Sequence, residues 1–471
     1  MQHTHLQRNT IAWMVGLLCS ASTFASTVTW YQSGYDETTN SIANWQQKQI
    51  QTEQPNPDTE YRVIDLTKAQ IAQKFDGFGG AFNEKGWDAM SALKADTRQD
   101  VLNHLFNQKQ GLGLVIGRIP IGASDYAMDY YSHDDHPGDY AMTYFSIDRD
   151  RKYLIPYIKA AQDVQPKLTF FASPWTPPAW MKANQHYACR ADKANAHLIW
   201  KPEVEKAYAL YFSKFVKAYG QEQIPISALH LQNEPAGCQD FPSSLWTGPQ
   251  MRDFLRDYLV PQFEKDRLNT QLWLGTINQG DYTAYAKPVL DEPKLKGKIA
   301  GIGYQWDGKY AIADTHKHYP NIKLIQTESE CGNGSNDIVA GLYTFGLIQK
   351  YLDAGASAYV YWNMVLDSSG NSSWGWKQNS LISVDRINNK VNYNMDYYVM
   401  QHFSHFVQPG AHLLKTAYHE DTLSFRNPDG SYVVVAANPS YSVKEITMKV
   451  GDQTIRAKLP MMTIHSFTIQ P

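Results

Sequence analysis

Short apolar runs alternate with longer segments of helical periodicity along most of the chain. Eight runs rich in β-branched and aromatic residues have the length of strands, at residues 75–82, 114–119, 168–173, 226–232, 272–277, 299–305, 322–327 and 358–362. Helical spacing of apolar residues fills most of the gaps, at residues 86–107, 148–163, 202–219, 250–266 and 335–353. Strands that alternate with helices in this way predict an α/β fold, a (β/α)8 TIM barrel.

From about residue 406 the pattern changes to alternating apolar and polar positions, which is typical of half-buried strands. Candidate strands lie at residues 422–426, 432–438, 445–450 and 463–469, with a hairpin turn predicted at Pro428-Asp429-Gly430. A terminal four-stranded sheet needs a second layer, so the strand candidates at 28–31 and 61–64 are expected to join it. The prediction is therefore a barrel with an attached β-sandwich formed by both chain ends.

The first 25 residues have the pattern of a secretory signal peptide. An apolar stretch at residues 11–21 follows a short polar segment and ends in Thr23-Phe24-Ala25, a small-x-small cleavage pattern. We expect residues 1–25 to be removed and the protein to be secreted or periplasmic. The predicted parts are this signal peptide, an N-terminal segment at 26–73 that contributes strands to the sandwich, the barrel at 74–405 and the C-terminal sandwich at 406–471.

Export permits disulfides, and three cysteines remain after the predicted cleavage. We expect Cys189 and Cys238 to form a bridge and Cys331 to stay free. These cysteines are far apart in sequence, and no CxxC or HxxxH pattern is present. The sequence therefore predicts no metal site and no cofactor.

The composition narrows the choice of function. A hydrophobic fraction of 43% with only 19% charged residues indicates a folded chain. The net charge of −3 leaves no basic surplus to neutralise phosphates, which argues against nucleic-acid binding. The sequence lacks the apolar run of about 20 residues that a membrane-spanning helix needs. The chain has 13 Trp and 30 Tyr, a content that is common in proteins that stack on sugar rings.

Polar and aromatic residues follow several predicted strands, at the barrel face that carries function in such folds. They are Arg118 and Asp125 after the second strand, Trp175 after the third, Asn233 and Glu234 after the fourth, Glu328 after the seventh, and Trp362 at the end of the eighth. Two carboxylates beside Trp residues suit glycoside hydrolysis, with one as nucleophile and the other as acid/base. An Arg near the nucleophile would keep it ionised, and a dry site would keep the acid protonated.

Each of these residues alone also fits a structural role. Glu234 could belong to an ordinary loop, Arg118 to an ion pair at a strand end, and the Trp side chains to the core. Their joint occurrence in an exported, Trp-rich chain favours a glycosidase. Glu330 competes with Glu328 for the role of nucleophile, because the two could share a face of the strand, and spacing leaves both open.

Five motifs, in the same order along the chain, resemble those of glycoside hydrolase family 30. They are FDGFGGAF at 75–82, RIP at 118–120 with Asp125, SPWTPPAWMK at 173–182, QNEP at 232–235 and TESECG at 327–332. The resemblance extends from about residue 74 to 410, and SPWTPPAWMK is its most specific part. It implies a (β/α)8 barrel, a sandwich built from both chain ends, and hydrolysis with retention.

The resemblance also implies roles for individual residues. It places the acid/base on Glu234 and the nucleophile on Glu328 rather than Glu330. Its sugar-binding positions map to Arg118, Asp125, Trp175, Asn233 and Trp362.

One position departs from the glucosylceramidases of that family, which have a Trp-Tyr pair after the sixth strand, with the Tyr near the nucleophile. Here Asp307 stands in place of that Tyr. We expect Tyr304 or Trp306 to take over part of its role in substrate binding.

The substrate is expected to be a β-glucan or another β-glucoside. FNEKGW at 82–87, FPSSLWTG at 241–248 and WGWKQNS at 374–380 look more like the β-1,6-glucanases of the family, so we predict an endo-β-1,6-glucanase. Trp374 and Trp376 are then expected to stack on outer sugar rings, although either could also pack its loop. Glucosylceramidase or exo-β-glucosidase activity is the first alternative, and a β-xylosidase or xylanase the next. A non-catalytic carbohydrate-binding protein is the rival from another class, but both catalytic carboxylates are present.

Overall fold

A computed structural model describes residues 27–49 and 62–470; the predicted signal peptide and Tyr61 lie outside these residues. Eight parallel strands form one sheet that closes almost completely into a barrel, as predicted. They are β1 Gly77–Ala81, β2 Ile116–Ile121, β3 Thr169–Pro174, β4 Ile226–His230, β5 Gln271–Ile277, β6 Ile299–Gln305, β7 Lys323–Glu328 and β8 Ala358–Asn363.

The barrel closes in two different ways around β8. On one side β8 forms a parallel ladder with β1, in which Ala358 lies opposite Gly77 and the register shifts between Tyr361 and Asn363. On the other side the backbone N–H of Ser357 donates to the carbonyl of Leu324, at 2.8 Å. The N–H of Val360 donates to the side-chain Oε1 of Gln326 on β7, at 2.6 Å. A side chain therefore replaces part of the backbone ladder between β7 and β8.

Helices follow most of the barrel strands, and one further helix, Met395–Ser404, comes after the small sheet that follows β8. They are Glu84–Ser91, Ala95–Phe106, Leu154–Val164, Pro202–Gln221, Gly248–Phe254, Val260–Lys265, Tyr282–Leu290, Ile312–His318, Ile338–Asp353 and Met395–Ser404. The helix predicted at 86–107 is two helices, and the one predicted at 250–266 contains a π-helical turn, Leu255–Leu259. Pro261 follows this turn and has no N–H to donate to the carbonyl four residues earlier, which favours the wider turn.

The β-sandwich contains strands from both ends of the chain. Its larger sheet is antiparallel, in the order Ser41–Lys48, Val28–Asp36, Thr463–Ile469, Tyr432–Asn438, Thr422–Arg426, His412–Lys415 and Gln70–Lys74. Its smaller sheet contains Gln453–Leu459, Lys444–Val450 and Val63–Asp65. Phe467, Val434 and Met448 are fully buried in a separate apolar core between these sheets. A further small sheet, Val365–Asp367, Ile382–Asp385 and Lys390–Tyr393, follows β8.

Cys189 and Cys238 form a disulfide, which confirms the predicted pair, and Cys331 is free and buried. The bridge joins the segment after β3 to the segment after β4, on the side of the barrel where the candidate site lies. In the described part of the chain, no helix has the length and apolar character required to cross a membrane.

Candidate active site

A cavity of about 350 Å³ opens at the carboxyl ends of the barrel strands. Its lining includes seven of the residues singled out in the sequence: Asp125, Trp175, Asn233, Glu234, Trp306, Glu328 and Trp376. The other lining residues are Gln239, Phe241, Asn278, Asp307 and Gln378. The structure therefore brings the two candidate catalytic carboxylates to one cavity, together with aromatic and amide side chains.

Arg118 on β2 lies directly beneath this cavity and is fully buried. Its Nη1 donates to Oε2 of Glu328 at 2.7 Å, and its Nη2 donates to Oδ1 of Asn233 at 2.7 Å. It also bonds the hydroxyl of Ser173 on β3 and the carbonyl of Thr327 on β7. One guanidinium thus fixes side chains from several strands, and it forms a buried ion pair with Glu328.

Two Trp side chains cover this guanidinium. Its Cζ lies 4.6 Å from the ring centroid of Trp175 and 5.5 Å from that of Trp362. The two indoles stack on each other, with centroids 5.3 Å apart. Trp175 lines the cavity, whereas Trp362 lies behind it and donates its indole N–H to Oδ2 of Asp125 at 3.2 Å. Trp362 therefore supports the cavity wall.

Glu234 follows Asn233 just beyond the end of β4, and both side chains reach the cavity. Adjacent residues of a strand point to opposite faces, but Glu234 has a left-handed backbone with φ of 46°. This conformation costs a non-glycine residue about 1 kcal/mol or more, and here it directs a second side chain inward. Burial and the negative charge of Glu328 raise the pKa of Glu234 to about 8, although a hydrogen bond from Gln305 and the charge of Arg118 oppose the shift.

Glu328 is the last residue of β7, and both its oxygens are hydrogen-bonded. Oε2 accepts from Arg118 and from the amide of Gln305, and Oε1 accepts from the indole N–H of Trp306 at 3.2 Å. Trp306 has a left-handed backbone with φ of 49°. Of the two residues expected to compensate for Asp307, Trp306 therefore contacts Glu328.

Tyr304 is not brought to the cavity. Its hydroxyl bonds that of Thr315 on a surrounding helix, at 2.7 Å, and the side chain is buried. The reason is strand alternation, since Gln305 is the residue of β6 that faces the barrel interior.

Glu330 is also outside the cavity lining, and it accepts hydrogen bonds from Lys309 and from the hydroxyl of Tyr343.

Gln305 is one of the site residues that the sequence reasoning missed. Its Nε2 lies 3.0 Å from Oε1 of Glu234, 3.1 Å from Oε2 of Glu328 and 3.1 Å from Oδ1 of Asn233. Small residues precede it at inward positions of β6, namely Gly301 and Gly303. This period of two was the signal available in the sequence, because it places Gln305 inside the barrel at the end of the strand.

Asp125 contributes a further carboxyl group to the cavity, beside those of Glu234, Glu328 and Asp307. Its Oδ2 accepts from Trp362, while its Oδ1 is buried and has no hydrogen-bond partner in the part of the chain described. Burial raises the pKa of Asp125 well above its usual range, and the charges of Glu328 and Glu234 add to this effect. A buried oxygen without a partner is a candidate contact for a ligand hydroxyl.

The two Trp residues of the loop after β8 differ in position. Trp376 lines the cavity beside Phe241, with ring centroids 5.0 Å apart. Trp374 is outside the lining and packs against Tyr130, at 5.2 Å. Only Trp376 therefore borders the cavity, while Trp374 extends the aromatic surface away from it.

The described residues contain no group of three or more His, Cys, Asp or Glu side chains that could hold a metal ion.

Comparisons with known proteins agree with these observations. Residues 75–407 match the Glycosyl hydrolase family 30 TIM-barrel domain, and residues 415–467 match the Glycosyl hydrolase family 30 beta sandwich domain. The matches confirm both the predicted fold and the resemblance carried by the five motifs.

Three known proteins illustrate the similarity. "Putative glucosylceramidase 1" of Caenorhabditis elegans is 31% identical over 424 residues, which are 84% of this chain and 79% of that protein. The Endo-1,6-beta-D-glucanase BGN16.3 of Trichoderma harzianum is 26% identical over 405 residues, which are 82% of this chain and 81% of that protein. The solved structure of the endo-beta1,6-glucanase BT3312 superimposes on this chain with a TM-score of 0.80 at 23% sequence identity. The match covers 94% of this chain and 99% of the glucanase chain.

The raised pKa of Glu234 predicts how stability depends on pH. The folded protein keeps this proton up to about pH 8, whereas the unfolded chain releases it near the ordinary value of 4.5. The free energy of unfolding should therefore fall as the pH rises through this window. Glu234→Gln cannot release a proton, so it should become more stable than the parent by roughly 3 kcal/mol at pH 8 to 9. Chemical denaturation between pH 5 and 9 measures this, with the exposed Glu445→Gln as a control that should keep the parent's slope. Parallel curves for parent and Glu234→Gln would contradict the assignment.

Proposed function

Because the chain belongs to glycoside hydrolase family 30, we propose that it is a retaining endo-β-1,6-glucanase that acts outside the cytoplasm. The family makes it a glycoside hydrolase, with relatives that include glucosylceramidases and endo-1,6-β-glucanases. The proposal adds the stereochemistry, the roles of the site residues, the preferred linkage and the place of action.

The separation of the two carboxylates supports retention. Oε1 of Glu234 and Oε2 of Glu328 lie 3.0 Å and 3.1 Å from the same nitrogen, Nε2 of Gln305. Two such oxygens are at most roughly 6 Å apart, close to the separation of about 5–5.5 Å in retaining enzymes and below the roughly 6.5–9.5 Å of inverting ones. An inverting enzyme needs room for a water molecule between sugar and base, so this short bridge favours direct attack by a carboxylate.

The charges suggest which carboxylate is the nucleophile and which is the acid/base. Glu328 is bonded to the guanidinium of Arg118 and acts as the nucleophile that forms the glycosyl-enzyme. Glu234, with its raised pKa, holds the proton that the leaving oxygen needs. In the second half of the reaction the same group accepts a proton from the attacking water.

The neighbouring residues have shapes and polar groups that suit a sugar ring. Oδ1 of Asn233 accepts from Arg118 and Thr276, which leaves its Nδ2 to donate to a sugar hydroxyl. Asp125 offers its unpartnered Oδ1 to another hydroxyl. Trp175 supplies an aromatic wall on which the ring can pack.

The rim of the cavity favours a carbohydrate as the leaving group. Polar side chains of Gln239, Asn278, Asp307 and Gln378 line it. Amides and carboxylates exchange hydrogen bonds with sugar hydroxyls, whereas a lipid chain would leave them without partners. Trp376 and Phe241 provide stacking surfaces among these polar groups. The similarity to the Trichoderma harzianum glucanase supports the same substrate class.

Hydrolysis of a glucosylceramide or a small β-glucoside is the second candidate. The 31% identity with the Caenorhabditis elegans protein favours it, because that relative is more similar in sequence than the glucanase.

Action outside the cytoplasm follows from the signal-peptide pattern and is supported by the Cys189–Cys238 disulfide, since such bonds persist in oxidising compartments.

We predict that Glu328→Gln loses activity by about 10⁴-fold or more, because an amide cannot form the glycosyl-enzyme. Glu330→Gln is the matched control two residues away, and it should keep most of the activity because Glu330 lies outside the cavity lining. Hydrolysis of an aryl β-glucoside measures both variants, and circular dichroism checks their folding. Reversed effects would move the nucleophile to Glu330.

Glu234→Ala should lose activity mainly on substrates with poor leaving groups. A good aryl leaving group departs without a proton, so the first step survives the loss of the acid. We expect a loss of about 10³-fold or more on a glucan oligosaccharide and a much smaller loss on a dinitrophenyl glucoside. Azide should then restore turnover by capturing the intermediate as a glycosyl azide. Equal losses on both substrates would exclude the acid/base role.

The linkage is tested on the parent with pustulan, laminarin, xylan and glucosylceramide side by side. We expect oligosaccharide release from the β-1,6-linked pustulan. Trp376→Ala should then lower kcat/KM on pustulan by about tenfold while sparing a small aryl glucoside, since binding energy from remote rings is used at the reacting bond. Trp374→Ala should have a smaller effect because Trp374 is outside the cavity lining. Release from glucosylceramide alone would favour the second candidate instead.

A further inference from the structure

We infer that Gln305 assigns the tasks of the four carboxylate oxygens, so that Oε2 of Glu234 carries the transferable proton and Oε1 of Glu328 forms the bond to the sugar. The inference rests on the proposed roles of Glu234 and Glu328. Gln305 acts through these two residues and is therefore a positioning residue. It is fully buried, and its amide lies between them.

The orientation of the Gln305 amide follows from its partners. Its Oε1 accepts from Nη1 of Arg118 at 3.2 Å and from the hydroxyl of Thr327 at 2.9 Å. A guanidinium can only donate, so the oxygen must face Arg118. The amide N–H groups consequently face the carboxylates, and a flipped amide would place its oxygen against them.

At Glu234 this donor distinguishes the two oxygens. Oε1 accepts a hydrogen bond from the amide N–H of Gln305 at 3.0 Å. The lone pair of Oε1 that faces Gln305 is therefore occupied by this bond. A proton on Oε1 would oppose the donated N–H, so the protonated acid carries its hydrogen on Oε2. The residue lines the cavity, and Oε2 is the oxygen left for the leaving group.

At Glu328 the same donor leaves the other oxygen available. Oε2 accepts from both Arg118 and Gln305, whereas Oε1 accepts only the weaker indole N–H of Trp306 at 3.2 Å. Two strong donors lower the nucleophilicity of Oε2, and a carboxylate bound in this way attacks through its other oxygen. Oε2 then becomes the carbonyl oxygen of the ester and keeps both donors.

The first step is balanced with these assignments. Oε1 of Glu328 forms the bond to the anomeric carbon, and the bond from that carbon to the leaving oxygen breaks. The leaving oxygen takes the proton from Oε2 of Glu234. Glu234 becomes an anion, and the N–H from Gln305 on its Oε1 stabilises the new charge. In the second step water gives its proton back to Oε2, and its oxygen displaces Glu328.

Gln305 thus makes Glu234 a stronger acid than burial alone would allow. Its hydrogen bond lowers the pKa of Glu234 against the effects of burial and of Glu328. The loss of this bond should therefore raise the pKa of Glu234, an effect that a merely structural role of Gln305 would not produce. A hydrogen bond to a charged group contributes about 1.5–3 kcal/mol, which corresponds to about 1–2 pH units.

The test compares Gln305→Leu with Gln326→Leu, a matched removal of a buried glutamine whose Oε1 accepts from Val360 and which does not line the cavity. On a glucan oligosaccharide, whose leaving group needs the proton of Glu234, the basic limb of the pH profile of kcat/KM should move upward by about 1 pH unit in Gln305→Leu. The limb should stay in place in Gln326→Leu. An unchanged or lowered basic limb in Gln305→Leu would overturn the inference.

Gln305→Met provides a second variant of similar length without a donor, in case the leucine variant does not fold. Difference infrared spectroscopy, with Glu234→Gln as reference, follows the protonation of Glu234 directly and needs no turnover. A carboxyl band that titrates at higher pH in Gln305→Met supports the inference, and one that titrates as in the parent contradicts it. Absence of glycosidase activity in the parent would instead count against the proposed function.

Discussion

The buried guanidinium of Arg118 is the feature on which the site depends. A charge in the interior of a barrel is costly unless it is paired and hydrogen-bonded, and leaving such a charge without its partner costs about 3–5 kcal/mol. Arg118 meets this requirement with acceptors from β3, β6 and β7 and from the segment after β4. The ends of these strands must therefore converge on it, and the convergence places Glu328 and Asn233 in one cavity.

The carboxyl groups that line the cavity differ in how they are paired. Arg118 pairs directly with Glu328, and no second guanidinium or ammonium lies among the residues that line the cavity. Burial and the charge of Glu328 then raise the pKa of Asp125 and of Glu234. The site therefore favours the protonated forms of Asp125 and Glu234, whereas Glu328 is held in a direct ion pair with Arg118.

The barrel and much of the site could be predicted because their signals are local. Eight β-rich runs gave the strand order, and residues at the strand ends gave Arg118, Asn233, Glu234 and Glu328. The edge strand Ser41–Lys48 was missed because it is rich in polar residues and shows little alternation. The strand Gln453–Leu459 was missed although Ile455, Ala457 and Leu459 alternate with polar residues. The helix Tyr282–Leu290 was missed for a related reason, as it is short and contains Pro288.

Gln305 and Tyr304 illustrate what residue type alone does not reveal. An amide has no charge or reactive group to attract notice, so its importance depends on two carboxylates that are distant in sequence. Tyr304 looked suitable as a site residue, but the pleat of β6 turns it toward Thr315. Side chains alternate between the two faces of a strand, so Gln305 and Tyr304 must point in opposite directions. Alternation along β6 therefore predicts Gln305, and not Tyr304, as the residue at the site.

The pairing of the chain ends has a consequence for the order of folding. Trp30 in Val28–Asp36 donates its indole N–H to His465 in Thr463–Ile469, across 435 residues of sequence. During synthesis the first strand can form a hairpin with Ser41–Lys48, but its other edge stays open until the last strand has been made. The sandwich is thus completed only after Thr463–Ile469 has been synthesised, and deletion of that strand would leave one edge of Val28–Asp36 unpaired.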